Sequence, residues 1–185
     1  MRYHNISDIF EMIEKMQRKF EESVAGLTPE QENFRPSPDR RTIAENAEHV
    51  TIVNGGFIRL TNKMLKQAEA ESRPALSDLQ MPPLTLTDEG EMKPGKWQAP
   101  DMVKPKGGIG VEQSVAGNRQ IIDELFALKS RIDAVDLSDK KWNHPLLGDL
   151  NIYQWLVLFG EHEERHRVQI DEIKAAAGFP SKITS

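Results

Sequence analysis

Apolar residues recur along this chain at three- and four-residue spacing in four long stretches, the mark of helices with one buried face. In the first, from about Ser7 to Ala25, Ile6, Phe10, Ile13, Phe20 and Val24 form a single stripe. Gly26 stops it, and Pro29, Pro36 and Pro38 mark a loop. The second stretch opens on Thr42-Ile43-Ala44-Glu45, a capping-box pattern, and carries Ile43, Ala47, Val50, Val53, Phe57, Leu60 and Met64 to about Ala70. Gly55 and Gly56 lie inside it, where each glycine costs roughly 1 kcal/mol against alanine, so close helix packing is expected there. The third stretch spans about Val111 to Ala134, with Val115, Ile122, Leu125, Phe126 and Ile132 on its apolar side. The fourth starts at about Asn151, an N-cap with Gln154 three residues on, and runs to Ala177 before Gly178 and Pro180.

No run of apolar/polar alternation is long enough for a sheet, so an all-α fold is expected. Between the second and third helices lie about forty residues, roughly 71–110, rich in proline and glycine. A structureless loop of that length needs a reason. A helix over residues 42–70 is ~43 Å long at ~1.5 Å per residue, so a chain that starts the next helix parallel to it must first travel back along its whole length. The pattern therefore predicts one domain, residues 1–185, folded as an up-down-down-up four-helix bundle with a long crossover between helices two and three.

Composition narrows the function classes. The net charge of −5 argues against an electrostatic grip on nucleic acid or anionic lipid. No apolar run approaches the ~20 residues of a membrane helix. The first residues lack the apolar stretch of a secretory signal, so a cytoplasmic protein is expected. There is no cysteine, which leaves nitrogen and oxygen as the donors for any metal.

The residues that point to chemistry are His162 and His166, four apart and hence one above the other on a helix face. Trp155, Phe159, Ile170 and Ile173 share that face, so it points inward. Two buried imidazoles need a partner, and one metal ion satisfies both. His49 lies ~10 Å from the start of helix two and His166 ~15 Å before the end of helix four, so antiparallel packing brings the three rings to one level. His4 and His144 are expected near the opposite end, as surface or loop residues. A satisfied polar cluster without metal is the alternative reading of the three.

The runs Thr42-Ile43-Ala44-Glu45-Asn46-Ala47-Glu48-His49 and His144-Pro145-Leu146-Leu147-Gly148, the latter leading into a Trp-bearing helix with HxxxH and then Gln169-Ile170, resemble the DinB/YfiT-like superfamily. That superfamily of four-helix-bundle proteins is distinct from the DNA polymerase that shares the name DinB. The helix order and crossover extend the resemblance across nearly the whole chain. It implies His49, His162 and His166 as metal ligands, zinc or nickel as the divalent ion, and thiol S-transfer, isomerisation or amide hydrolysis among the activities. It also implies a homodimer.

His162-Glu163-Glu164-Arg165-His166 matches the HExxH zincin signature too, but neither a downstream third ligand nor a sheet accompanies it. With three imidazoles an exchangeable position remains for water or an exogenous thiol, so the expected enzyme is S-transferase-like or hydrolase-like and acts on a small molecule. A non-catalytic metal- or ligand-binding bundle of the stress-related type is the alternative. Glu163 adjoins a ligand and is the candidate acid/base, although one residue on lies ~100° round the helix, where a solvated or ligand-orienting role is the other reading. Asn46 and Gln169 stand one turn from ligands and are candidates to orient them. Arg40, Arg41 and residues 97–110, with Trp97, are expected to rim the mouth. Trp142 and Trp155 are expected in the core.

Overall fold

The computed structural model describes residues 3–76, 79, 101–145 and 147–181. The expected crossover falls largely outside these residues, Trp97 with it. The elements are α1 (Ile6–Val24), α2 (Pro29–Glu32), α3 (Ile43–Ala70), α4 (Val111–Ala127), α5 (Lys129–Asp133), the strands β1 (Lys141–His144) and β2 (Gly148–Asn151), and α6 (Ile152–Lys174). A 3-10 turn at Asp101–Val103 precedes α4. The protein is mostly helical, as the periodicity predicts.

Local signals start the helices where the sequence places them. Thr42 caps α3 and Asn151 caps α6, each by a full capping box with the side chain three residues on. Asn5 caps α1 through the Asp8 amide. The third stretch breaks after Ala127, and α5 continues it as a separate turn. Residues 29–32, expected as loop, form α2 under a Thr28–Gln31 capping box with Pro29 at its first position.

The two-stranded sheet departs from expectation. Lys141 pairs with Asn151 and His144 with Gly148 in an antiparallel hairpin. Four-residue strands with largely exposed side chains carry too little alternation to read in advance. Gly148 closes the turn at φ +70°, a conformation glycine adopts without strain. Trp142 is 47% exposed rather than buried, with Lys63 Nζ 4.3 Å from its ring centroid. Trp155 is buried and donates from Nε1 to the Trp142 carbonyl at 3.2 Å, anchoring the hairpin to α6.

Contacts fix the pairwise sense of the long helices. Asn46 meets His166 and Phe57 meets Trp155, so α3 and α6 run antiparallel. Thr51 bonds to the Ser114 carbonyl and Glu69 to Arg131, so α3 runs parallel to α4 and α5. Met12 abuts Gly160 and Ser23 meets Lys174, so α1 and α6 are parallel.

The apolar core falls into two clusters. Ile9, Ile13, Leu65, Leu125, Ile152 and Phe159 belong to one, and Phe20, Ile43, Val50, Val111, Ile170 and Ile173 to the other. Between them on α3, α4 and α6 lie the buried polar residues Asn54, Ser114, Asn118, Glu163 and His166, with His49 at the edge of the second cluster beside Val50. That polar layer holds the chemistry.

Candidate metal centre

His162 and His166 face α3 because the apolar residues before and after them on α6 fix that face inward. The rings of His162 and His166 lie 4.5 Å apart, with His49 at 5.3 Å from the first and 4.8 Å from the second. One nitrogen from each ring falls within 4.8 Å of the other two. His49 and His166 are buried, and His162 is half-buried.

Hydrogen bonds decide which nitrogen each ring offers. His49 Nδ1 lies 2.6 Å from the Val103 carbonyl, which only accepts, so the proton is on Nδ1 and the Nε2 lone pair is free. His166 Nδ1 lies 3.1 Å from Asn46 Oδ1. Asn46 Nδ2 donates to the Thr42 carbonyl at 2.9 Å, which sets the amide with its oxygen toward His166. His166 therefore also presents a free Nε2, and it stands 3.2 Å from His162 Nε2. Two imidazole nitrogens on a tetrahedral ion at ~2.0–2.1 Å are separated by about 3.3 Å. A ligating histidine that donates its other N–H to a carbonyl or amide oxygen is the usual second-shell arrangement. His162 Nδ1 is enclosed without a partner, so nothing among the described residues holds that ring as the other two are held. The donor set fits a divalent transition metal.

The electrostatics agree. Burial lowers the His49 pKa to about 4 and the His162 pKa to about 3, and it takes His166 well below its ordinary value. The charges of Arg41 and Arg165 push all three further down. At neutral pH the three rings are uncharged, the state in which imidazole binds metal.

Further groups frame the site. Glu48, buried one residue before His49, accepts the amides of Lys106 and Gly107 at 2.8 and 2.9 Å. Together with the His49–Val103 bond this fastens residues 103–107 across the centre. Phe57 packs against Trp155, Phe159 and His162 and makes an apolar wall. Arg40 forms an ion pair with Glu172 at 2.6 Å, and the charge of Arg41 acts on all three rings.

Glu163 is fully buried on the α3–α4 side of α6. Its Oε1 accepts from Asn54 Nδ2 at 2.8 Å and Asn118 Nδ2 at 2.7 Å, while Oε2 has no partner. Burial raises its pKa to about 7, against the opposing pull of the two amides. It is thus no solvated residue.

His4 is exposed at the start of α1, as expected. His144 departs from expectation: the hairpin carries its ring to 5.4 Å from Trp155, and its charge reaches His162. Asn46 orients a histidine as its spacing suggested, and Gln169 makes no such bond among the described residues. Glu48, Asn54, Asn118 and the Val103 carbonyl were missed. A polar residue on an apolar helix stripe is the signal that points to the first three.

Comparison with known proteins follows the same lines. The family model described as DinB superfamily matches residues 12–170. A curated relative, the uncharacterised protein YuaE of Bacillus subtilis (strain 168), is 26% identical over 155 residues, covering 80% of this chain and 86% of its own. No solved structure matches.

Proposed function

Because the chain belongs to the DinB superfamily, we propose that it is a metal-dependent enzyme whose His49, His162 and His166 hold one divalent transition ion, zinc or nickel, and which acts on a small molecule by thiol transfer or hydrolysis. The observation that carries this reading is the pair of Nδ1 bonds, His49 to Val103 and His166 to Asn46, which leave Nε2 as the free donor of both rings in a cluster whose three ligand atoms lie within 4.8 Å of one another. When bound, the ion supplies Lewis acidity at a position the protein leaves open, where a thiol or water is activated near neutral pH.

The chain's own residues do the rest. Val103 and Asn46 hold two rings in the ligating tautomer. Phe57 and Trp155 exclude water along one side. Glu163 is assigned the role of proton acceptor and donor: burial holds its pKa at about 7, where both protonation states are populated. Its position off the three-ring cluster means that the proton reaches the centre through water or a side-chain shift. The absence of cysteine is consistent with an exogenous thiol. The helix senses support an up-down-down-up four-helix bundle over the single unit 1–185. A cytoplasmic homodimer completes the proposal, since low-molecular-weight thiols stay reduced in that compartment.

The test is a screen of protein loaded with zinc, nickel or manganese against several low-molecular-weight thiols and a common electrophile. Conjugation should require metal and fall at least a hundredfold in His166→Ala. Equal rates with stripped and loaded protein would defeat the enzyme reading.

A further inference from the structure

The rings of the centre are not held alike. Asn46 holds His166 from within α3, and its own amide is pinned to the Thr42 carbonyl one turn back. His49 is held by the Val103 carbonyl, which belongs to no long helix and ends the 3-10 turn ahead of α4. The orientation of that ligand therefore depends on a segment that helix packing alone does not fix.

The segment has its own fastening. Glu48, 3% exposed, takes the Lys106 amide on Oε1 at 2.8 Å and the Gly107 amide on Oε2 at 2.9 Å. A buried carboxylate needs such donors, and successive amides aimed at one anion make a charge-assisted clamp. The chain turns away from the clamp through Gly107 and Gly108, whose φ of +78° and +82° would strain any other residue. A Cβ at either would meet nothing within 4 Å, so conformation rather than space calls for glycine. Pro105 lies between the clamp and Val103 and stiffens the link by fixing its own φ. Glu48 and His49 are adjacent on α3, so both ends of this short strap answer to neighbouring residues. Glu48 spends both oxygens on the strap and is no ligand.

We infer that residues 103–107 are a latch linked to occupation of the metal centre, with Glu48 a positioning residue that acts on His49 through the Val103 carbonyl. This rests on the metal reading above. An ion on His49 Nε2 draws electron density from the ring and makes Nδ1–H a stronger donor to Val103. Linkage is reciprocal, so a bound ion closes the strap and a closed strap tightens the hold on the ion.

Trypsin reads the strap directly. The Lys106–Gly107 bond contains the amide that Glu48 Oε2 holds, and cleavage tracks the opened population. Zinc should slow cleavage at that bond in the parent by about tenfold or more, with the Lys140–Lys141 bond, ahead of the hairpin, protected less. In E48Q an amide N–H replaces one acceptor, so the bond should be cut readily with or without zinc. Zinc affinity of E48Q, read by competition with a chromophoric chelator, should fall by about tenfold or more. G107A leaves α3 untouched and should move both readouts the same way; it carries the test if E48Q loses its helical circular dichroism. Three results overturn the inference and leave the metal centre standing. They are equal cleavage with and without zinc, equal protection of the two bonds, and folded variants whose zinc affinity stays within about twofold of the parent. A parent that binds no zinc removes both.

Discussion

Individual residues show how environment, rather than residue type, sets chemistry here. His162 and Glu163 are neighbours in sequence, yet one looks to α3's histidine and the other to the asparagines of α3 and α4. The HxxxH spacing and the inward face of α6 were legible, because both follow from helical geometry. The partners of Glu163 were not, since Asn54 and Asn118 are separated in sequence and meet only through packing. The buried carboxyl carries a testable sign. Its pKa is raised to about 7 from 4.5, so between those values the native state holds the proton more tightly than the unfolded chain. Stability is therefore lost as pH rises through 7. In metal-free protein, Glu163→Gln should gain on the parent by about 2 kcal/mol between pH 5 and pH 8, read by urea unfolding at each pH. A gap independent of pH would show that the carboxyl titrates normally.

Among the elements, the helices were readable and the connections were not. Caps at Thr42 and Asn151 are local chemistry and appear where the sequence shows them. The hairpin is held by Trp155 and by cross-strand pairing, which no local pattern announces. Gly55 and Gly56 were expected to mark close packing. Instead, a Cβ at Gly55 would sit 3.5 Å from Arg59 Nη1 and 3.7 Å from Ile121 Cδ1, ordinary contact distances. The close approach is at Gly160, where a Cβ would collide with Met12. Gly55→Ala should then stabilise the protein by roughly 0.5–1 kcal/mol through helix propensity, read as a higher denaturation midpoint with unchanged slope. Destabilisation by that substitution would restore the packing account.

For the molecule as a whole, a polar layer divides two apolar clusters, and that layer is what makes the fold useful. Three neutral histidines inside it have a thermodynamic signature. Their native pKa values are depressed below the ordinary 6.5, so in acid the unfolded chain takes up protons that the native state refuses. Metal-free protein should lose stability as pH falls from about 6.5 toward 4, and His49 alone accounts for about 2 kcal/mol of that loss. Glu163 acts with the opposite sign over part of the range, one group against three. Thermal unfolding of stripped protein across pH 4–7 checks the slope, and a flat profile would mean that the rings are protonated in the native state. The long crossover makes α3 and α4 parallel and the short loops after the first and third stretches make antiparallel neighbours, so the pairwise senses were inferable from connection lengths, while the strap from Val103 to Gly107 was not, because its contacts span more than fifty residues.

Metal content tests the central claim most directly. Untagged protein, equilibrated with zinc or nickel and freed of excess, should carry close to one equivalent per chain by elemental analysis. His49→Ala, His162→Ala and His166→Ala should each lose it while keeping helical circular dichroism. Metal retained in full by all three folded variants, or none bound by the parent, would contradict the account.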